Sequence, residues 1–360
     1  MTDASIAMNV PTMTPSDRKL HLHKLYLRYA KYHEVSKHID DLIANARACR
    51  EGGGFKERAL FLIGESNTGK SRMLEELFRE KPSFQPYQDE EGEWVRPLIS
   101  IEAPSPCSSR ELALKILKEL GTVVRNKRIS NPELYDFLKD QLRDHRVEYL
   151  HIDEMQDTVL HNTEHAIKSV QSDVKSLLQI KNWPLHAIFS GVDDLANFIS
   201  GGDDQLSNRS NTVRLELLKD PRDLRAADQI LSNIVVKHAG LQPGWTDKDE
   251  LPARLILAGQ GRFGTICDDI KKACFAAIDA DRRKVTLSDF EMVYQVRKAC
   301  LREDNPFRGS KWRDIVPKNA LADPPMQAIF LPGLIAGDCL LRRACFSNSR
   351  SSSLPTHRST

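Results

Sequence analysis

The sequence feature that most constrains the fold of this chain is a glycine-rich loop, G-x-x-x-x-G-K-S, at residues 64–71. Residues 59–63 before it form an apolar run typical of a buried strand, and the apolar positions of residues 72–78 after it recur at helical spacing. Strand, glycine loop and helix in this order make a P-loop, in which backbone N–H groups and the helix amino terminus face a phosphate. The motif therefore predicts a site for a nucleoside triphosphate, the alternative being an accidental glycine turn.

The P-loop motif assigns a task to each of its polar groups. We expect Lys70 to reach the β- and γ-phosphate oxygens and the Ser71 hydroxyl to ligate Mg²⁺, so ATP and Mg²⁺ are the expected cofactors. The residues predicted to contact the nucleotide on this side are Gly64, Glu65, Ser66, Asn67, Thr68, Gly69, Lys70, Ser71 and Arg72.

A pair of acids, Asp153 and Glu154, follows a further apolar strand at residues 147–152. A P-loop needs such a site, where we expect Asp153 to hold Mg²⁺ and Glu154 to polarise the hydrolytic water as general base. Two solvated acids at a strand end are the alternative. The tandem Asp-Glu favours an ATPase of the AAA+ kind over a small-molecule kinase or a GTPase.

Three further polar residues lie where such a core needs them. Ser190 ends the strand predicted at residues 185–190 and is a candidate sensor of the γ-phosphate, or else a turn-forming serine. Arg209 precedes the last predicted strand, where an arginine finger would reach the nucleotide of a neighbouring subunit; a surface arginine is the alternative. Arg262 opens a helix in the carboxy-terminal region and is a second candidate for contact with the γ-phosphate.

Basic residues cluster after the strand predicted at residues 98–101. Arg110, Arg125, Lys127 and Arg128 are the candidate contacts to DNA phosphates, and a solvated loop is the alternative. The net charge of +2 over 360 residues neither requires nor excludes nucleic acid, so a DNA-binding surface has to be local.

Cysteine content and hydropathy bear on the compartment. The seven cysteines are odd in number and scattered, without the spacing of a zinc site or a disulfide framework. No signal peptide is evident and no uninterrupted apolar stretch approaches membrane-spanning length; the most apolar part of the tail, residues 326–341, is interrupted by proline and glycine. The sequence therefore predicts a cytoplasmic protein that has no membrane partner.

Strands that alternate with helical patterns predict an α/β fold, in which a parallel sheet is covered by helices on both faces. A run of three glycines at residues 52–54 separates the first helical pattern from the P-loop strand. The predicted divisions are a disordered arm (1–16), an N-terminal helical segment (17–50), a P-loop ATPase core of the AAA+ type (51–223), a smaller all-α lid (224–303) and a poorly ordered tail (304–360).

Three segments carry a family resemblance: residues 61–78, residues 152–157 with the sequence Ile-Asp-Glu-Met-Gln-Asp, and residues 190–209. Together they resemble the TniB family of AAA+ transposition regulators, which is related to TnsC and more distantly to the MuB and IstB proteins. The P-loop variant Gly-acid-Ser-Asn-x-Gly-Lys-Ser is the most specific shared feature, and the resemblance spans roughly residues 20–303.

The resemblance implies a protein that oligomerises on double-stranded DNA with ATP, selects target DNA and recruits or activates a DDE-type transposase. Hydrolysis then dismantles the assembly, which is a ring or a filament of identical subunits, and a TniQ-like targeting protein is a further implied partner. The resemblance assigns the roles described above to the P-loop, Asp153, Glu154 and Arg209. This chain departs from the family in having Gly-Val after Ser190 where Gly-Thr is frequent, and Arg-Ser at residue 209 where Arg-Phe is usual.

Two other functions use the same core. A helicase-loader ATPase would favour single-stranded DNA and a helicase partner, and a protein-remodelling or signalling AAA+ ATPase would bind no nucleic acid. A small-molecule kinase, from a different class, is opposed by the Asp-Glu pair and by the helical lid.

Overall fold

The computed structural model describes residues 13–28, 31–126, 128–160, 162–200 and 204–317 of the chain. Lys127, residues 1–12 of the predicted arm and residues 318–360 of the predicted tail lie outside this part. None of the helices described is both long and apolar enough to cross a lipid bilayer.

A five-stranded parallel sheet forms the centre of the fold, with the strand order β4-β5-β6-β1-β7. The parallel sheet predicted from the sequence is thereby confirmed. Since the carboxyl ends of parallel strands meet at one edge, the residues that follow β1, β5 and β6 converge there. The strands are β1 (Ala59–Gly64), β2 (Tyr87–Gln88), β3 (Trp94–Val95), β4 (Leu98–Glu102), β5 (Tyr149–Asp153), β6 (His186–Gly191), β7 (Ser210–Leu215), β8 (Gln242–Pro243) and β9 (Lys284–Val285).

Helices cover both faces of the sheet and form a second, smaller group after β7. They are α1 (Pro15–Lys24), α2 (Tyr32–Arg50), α3 (Lys70–Glu80), α4 (Ser109–Glu119), α5 (Asn131–Asp144), α6 (Asp157–Leu160), α7 (Glu164–Leu177), α8 (Asp194–Ser200), α9 (Asp204–Ser207), α10 (Leu224–Ser232), α11 (Leu251–Ala258), α12 (Phe263–Asp279) and α13 (Leu287–Lys298). A π-helical turn, Asn233–His238, extends α10.

The interior strand β1 is buried on both faces, and its side chains alternate between two cores. Phe61 and Ile63 join the core under α4, α5 and α7, where the Phe61 ring stacks on Phe189 with centroids 4.8 Å apart. Leu60 and Leu62 join the core under α2 and α3. A strand covered on both faces reads as an unbroken apolar run, which is why the sequence reveals β1 so clearly.

The segment predicted as one N-terminal helical unit divides into two helices that serve different parts of the fold. Helix α1, which begins at Pro15 inside the predicted disordered arm, packs on the carboxy-terminal helices through the fully buried Leu22. The Arg18 Nε donates to the Ala239 carbonyl at 3.2 Å. Helix α2 packs on the sheet instead. The apolar stripes of the two helices are similar, so only the tertiary structure separates them.

Two predictions about the carboxy-terminal region are corrected by the structure. The lid predicted as all-α contains the short parallel pair of β8 and β9. The predicted boundary at residue 304, where the poorly ordered tail was expected to begin, lies too early in the chain. Three residues beyond it are buried against the lid: Asn305, Phe307 and Trp312. Arg254 holds this segment by donating to the Pro306 carbonyl at 2.5 Å. The segment is irregular and held by such contacts, so it has no periodicity for sequence analysis to detect.

His186, at the start of β6, is fully buried and hydrogen-bonded at both ring nitrogens. Nδ1–H donates a hydrogen bond to the Pro184 carbonyl at 2.8 Å, because a carbonyl can only accept. Nε2 is therefore the acceptor for the Asn45 side-chain amide at 3.2 Å. Burial lowers the pKa of His186 to about 4. The neutral ring therefore fits the site, and a second proton would face the Asn45 donor.

We expect His186 to make the protein less stable in acid. The unfolded chain takes up the proton near pH 6.5 and the folded chain only near pH 4, so the free energy of unfolding falls as the pH drops between these values, by on the order of 2 kcal/mol at pH 5. Urea unfolding of the wild type and of His186→Gln between pH 5 and 7.5 measures this. The variant keeps an acceptor for Asn45 without a titrating ring, and an equal pH slope in both proteins would contradict the assignment.

Candidate nucleotide-binding site

The P-loop lies between the end of β1 at Gly64 and the start of α3 at Lys70. Gly69 caps α3 with φ at +93° and Asn67 has φ at +63°, so the chain turns through two left-handed residues to point its N–H groups inward. A Cβ atom at Gly64 would lie 3.1 Å from the Thr68 hydroxyl oxygen and from the Leu215 Cβ. The strand, glycine turn and helix predicted around the motif are all present.

The side chain of Lys70, the first residue of α3, lies inside the loop, and the residue is only 5% exposed. Its ammonium donates to the Gly64 carbonyl at 2.7 Å and to the Glu65 carbonyl at 3.1 Å. Burial lowers the pKa of Lys70, and the nearby Glu154 and Asp153 carboxylates partly offset that effect. Carbonyl dipoles carry no net charge, so a phosphate group is the partner that would satisfy this cation fully.

Ser71 and Asp153 meet at the mouth of the loop, where the Ser71 hydroxyl donates to Asp153 Oδ2 at 2.6 Å. Burial raises the pKa of Asp153, but hydrogen bonds from Ser190 and Ser71 outweigh it and leave that pKa below its ordinary value. Asp153 is thus held as a carboxylate. A hydroxyl and a carboxylate this close together are hard oxygen ligands of the kind that Mg²⁺ takes beside a nucleotide phosphate, so the donor set fits the ion.

A chain of hydrogen bonds crosses three strands and ends on Asp153. Ser190, which is fully buried, donates to Asp153 Oδ1 at 2.5 Å. Its single proton is then used, so His151 Nε2–H donates to Ser190 Oγ at 3.0 Å. Burial lowers the pKa of His151 to about 4, and in the neutral ring Nδ1 accepts from the Ser100 hydroxyl at 2.8 Å. The candidate sensor Ser190 is therefore fixed against Asp153 by a neutral histidine that sequence analysis overlooked.

Glu154 follows Asp153 with φ at +54°, a left-handed conformation that a non-glycine residue adopts only under constraint. Its side chain lines a cavity of about 560 Å³ together with the P-loop. Of the carboxylates near Lys70, that of Glu154 acts most strongly on the lysine pKa. The backbone turn thus brings the candidate general base to the side of the cavity where phosphates would lie.

The far wall of the same cavity is formed by residues that the sequence did not identify. Leu25, Tyr26 and Leu27, which connect α1 to α2, face Phe263 and Cys267 of α12. An apolar compartment beside a phosphate loop suits the base of a nucleotide. The signal for it lies in tertiary structure, because the two segments are more than two hundred residues apart in the chain.

Contacts between the P-loop and α12 keep the helical group against the site. The Gly264 N–H donates to the Asn67 carbonyl at 2.9 Å, and a Cβ at Gly264 would overlap that oxygen. Arg262 caps α12, and its Nη2 lies 3.5 Å from the Glu65 carboxylate. Lys271 Nζ donates to the Leu25 carbonyl at 2.9 Å. The structure therefore brings Arg262 to the P-loop, and its contact with a γ-phosphate stays a prediction.

Arg209 lies away from this site. It directly precedes β7, whose first residue pairs with Ala59 at the amino end of β1, whereas the P-loop follows the carboxyl end of that strand. Both terminal nitrogens of Arg209 are 2.8 Å from the side-chain oxygen of Gln179 in the amide orientation that satisfies both groups. Arg209 therefore lies at the amino ends of the parallel strands, whereas the P-loop of the same chain lies at their carboxyl ends.

The remaining predicted arginines lie at or near the surface. Arg72 of α3 is exposed at the rim of the cavity, which it helps to line, and pairs with Glu75 at 3.0 Å. Arg110 donates from Nη1 to the Ile129 carbonyl at 2.8 Å and so supports the loop before α5. Arg125 and Arg128 are exposed on that loop. A role in DNA binding stays a prediction for all three arginines of this region.

Comparisons with known proteins identify the family of the chain and its fold. A family model described as "Bacterial TniB protein" matches residues 22–220, more than half of the chain. No curated protein sequence matches this chain. Among solved structures, Cdc6p from Pyrobaculum aerophilum has a TM-score of 0.53 at 14% identity, covering 76% of this chain and 70% of its own.

A second solved structure, the Aeropyrum pernix ORC1 protein in complex with DNA, has a TM-score of 0.50 at 16% identity, covering 78% of this chain and 69% of its own. Similarity at this level of identity establishes the fold alone. The fold is that of the P-loop AAA+ ATPases.

Proposed function

Because the chain belongs to the TniB family, we propose that it is an ATP-dependent regulator of transposition that assembles on double-stranded DNA. One observation carries the ATPase part of this proposal: two separate segments of the chain bring Lys70, Ser71 and Glu154 to one cavity, and Asp153 accepts a hydrogen bond from Ser71 beside it. The family membership carries the transposition part.

In the proposed reaction each residue has a separate task. Lys70 would exchange its loop carbonyls for the phosphate oxygens. Ser71 and Asp153 would hold Mg²⁺, which would supply positive charge to neutralise the phosphates when bound. Glu154 accepts a proton from water as the water oxygen bonds to the γ-phosphorus. The bond from phosphorus to the bridging oxygen breaks, and ADP and inorganic phosphate leave. Ser190 reports the γ-phosphate through its hydrogen bond to Asp153.

The position of Arg209 supports assembly in which successive subunits contact each other head to tail. The P-loop opens at the carboxyl ends of the parallel strands, and Arg209 lies at their amino ends. In a head-to-tail assembly Arg209 of one subunit would therefore contact the nucleotide bound by the next. ATP then stabilises the contact between subunits, and its hydrolysis weakens that contact. Such contacts generate a ring when the rotation closes and a filament when it does not.

The proposed DNA contacts are Arg110, Arg125, Lys127 and Arg128, repeated from subunit to subunit. Each phosphate contact is weak and sensitive to salt, and an oligomer adds many of them along one duplex. This explains how a chain of net charge +2 would bind DNA: the binding surface belongs to the oligomer. The DNA-marking assembly would recruit a DDE-type transposase, with a TniQ-like protein as a further partner for targeting.

Sedimentation with non-specific DNA tests the proposal directly. We expect large complexes with double-stranded DNA and ATP at low salt, and their loss with ADP. A preference for single-stranded DNA would favour the helicase-loader alternative. ATP hydrolysis without DNA binding in any nucleotide state would exclude the DNA-marking function and favour a protein-remodelling ATPase.

Arg209→Ala is expected to bind ATP like the wild type and to lose turnover that depends on assembly, by about 10³-fold, the effect typical of an arginine finger. Steady-state hydrolysis as a function of protein concentration measures this loss. A mixture of Arg209→Ala with Lys70→Ala supplies the control, since one variant has an intact P-loop and the other an intact finger. Recovery of turnover in the mixture is expected, and turnover by Arg209→Ala alone at the wild-type rate would contradict the assignment.

A further inference from the structure

Gln156 is a buried glutamine, 5% exposed, that connects two parts of the candidate site. Its side-chain Nε2 donates to the Glu154 carboxylate, and its Oε1 accepts the Val192 N–H at 3.1 Å. Val192 follows Gly191 at the end of β6, two residues after Ser190. One amide group therefore bridges the candidate general base and the strand that carries the candidate sensor.

The backbone around Gln156 is arranged to admit this bridge. A Cβ atom at residue 191 would overlap Gln156 Oε1, so the close approach requires Gly191. The Met155 N–H donates to the Ser190 carbonyl at 3.0 Å, which joins the two segments a second time. Gln156 is thus fixed from the β6 side, and its NH₂ group has one orientation in which to meet Glu154.

We propose that Gln156 is a positioning residue that holds the Glu154 carboxylate in the orientation for hydrolysis and links that orientation to β6. The proposal rests on the ATPase function proposed above. The amide donates to one carboxylate oxygen and leaves the other as the base for water. A movement of Val192 on binding a γ-phosphate would reach the Glu154 carboxylate through the Gln156 side chain.

Two substitutions separate the halves of the bridge. Gln156→Glu keeps an oxygen for the Val192 N–H and nearly the same shape, but above the carboxyl pKa it has no proton to donate to Glu154 and repels it. Gln156→Ala removes both contacts. A role in packing or in satisfying Val192 predicts near-normal turnover for Gln156→Glu, whereas a role in orienting Glu154 predicts the loss of turnover in both variants.

At pH 8 we expect Gln156→Glu to lower kcat by about 10- to 100-fold, the effect of losing a hydrogen bond to a charged group, with the KM for ATP changed by less than about twofold. Hydrogen exchange of the Val192 amide is the second readout: its protection is expected to persist in Gln156→Glu and to fall in Gln156→Ala. The matched control is Gln171→Ala, which removes a buried glutamine that donates to the Phe198 carbonyl within the same core and leaves kcat unchanged.

Turnover by Gln156→Glu at the wild-type rate, or turnover raised above it in either variant, would overturn the positioning role. A parallel loss of kcat and of ATP affinity with lost Val192 protection in Gln156→Glu would overturn it in favour of a structural role. A wild-type protein that binds ATP without hydrolysing it would instead overturn the proposed ATPase function, and this inference with it.

Discussion

Lys70→Ala is expected to abolish ATP binding at nucleotide concentrations that saturate the wild type, a loss of more than about a hundredfold in affinity. The Lys70 ammonium is the one charged group held inside the P-loop, with two loop carbonyls as its ligands. Its removal takes away the positive charge that would bind the phosphate oxygens. It also leaves two carbonyl dipoles pointing into the space that the phosphate oxygens would occupy. Isothermal titration with ATP measures the affinity.

The fold should survive this substitution, because burial lowers the pKa of Lys70 and a desolvated cation contributes little to stability. Thermal unfolding therefore separates lost binding from lost structure: the variant is expected to unfold near the wild-type temperature without nucleotide and to show no rise when ATP is added. Lys81→Ala is the matched control, since Lys81 follows α3 and pairs with Asp40 at 2.6 Å on the surface. Unchanged ATP affinity in Lys70→Ala would contradict the identification of the site.

Glu154→Gln is expected to bind ATP, to hydrolyse it about 10²- to 10⁴-fold more slowly, and to stay in the ATP-bound assembly on DNA. Glutamine has the shape of glutamate and offers an oxygen to the Gln156 donor, so the left-handed turn at residue 154 and the cavity wall are preserved. Only the capacity to accept a proton from water is lost. Single-turnover hydrolysis and sedimentation with double-stranded DNA, after a chase with ADP, measure the two effects.

Asp157→Asn provides the control for this prediction, because Asp157 starts α6 three residues later and lies outside the residues that line the cavity. It should hydrolyse ATP like the wild type and dissociate from DNA as hydrolysis proceeds. Rapid hydrolysis by Glu154→Gln would assign the base to another residue. Slow hydrolysis combined with normal release from DNA would separate ATP hydrolysis from disassembly and contradict the proposed cycle.

Local signals made part of the site predictable. The P-loop, its flanking strand and helix, and the acids at the end of β5 each occupy a few consecutive residues whose types follow from one chemical task. The parallel sheet was predictable as well, since β1 and β6 are largely apolar strands that are buried on both faces of the sheet. The short helices α6, α8 and α9 and the β2–β3 pair were missed, because helices of four to seven residues and strands of two residues are too short to repeat an apolar period.

The sequence by itself therefore determined the P-loop motif and the α/β architecture, because both depend on residue types at short, regular spacings. Tertiary structure alone decided which helix packs where, as with α1 on the lid and α2 on the sheet. It also decided that Gln156, which donates to Glu154, accepts from Val192, and that His151 donates to Ser190, which in turn donates to Asp153. The contacts to Val192 and Ser190 join residues more than thirty positions apart, and they arise only where the parallel strands β5 and β6 lie side by side.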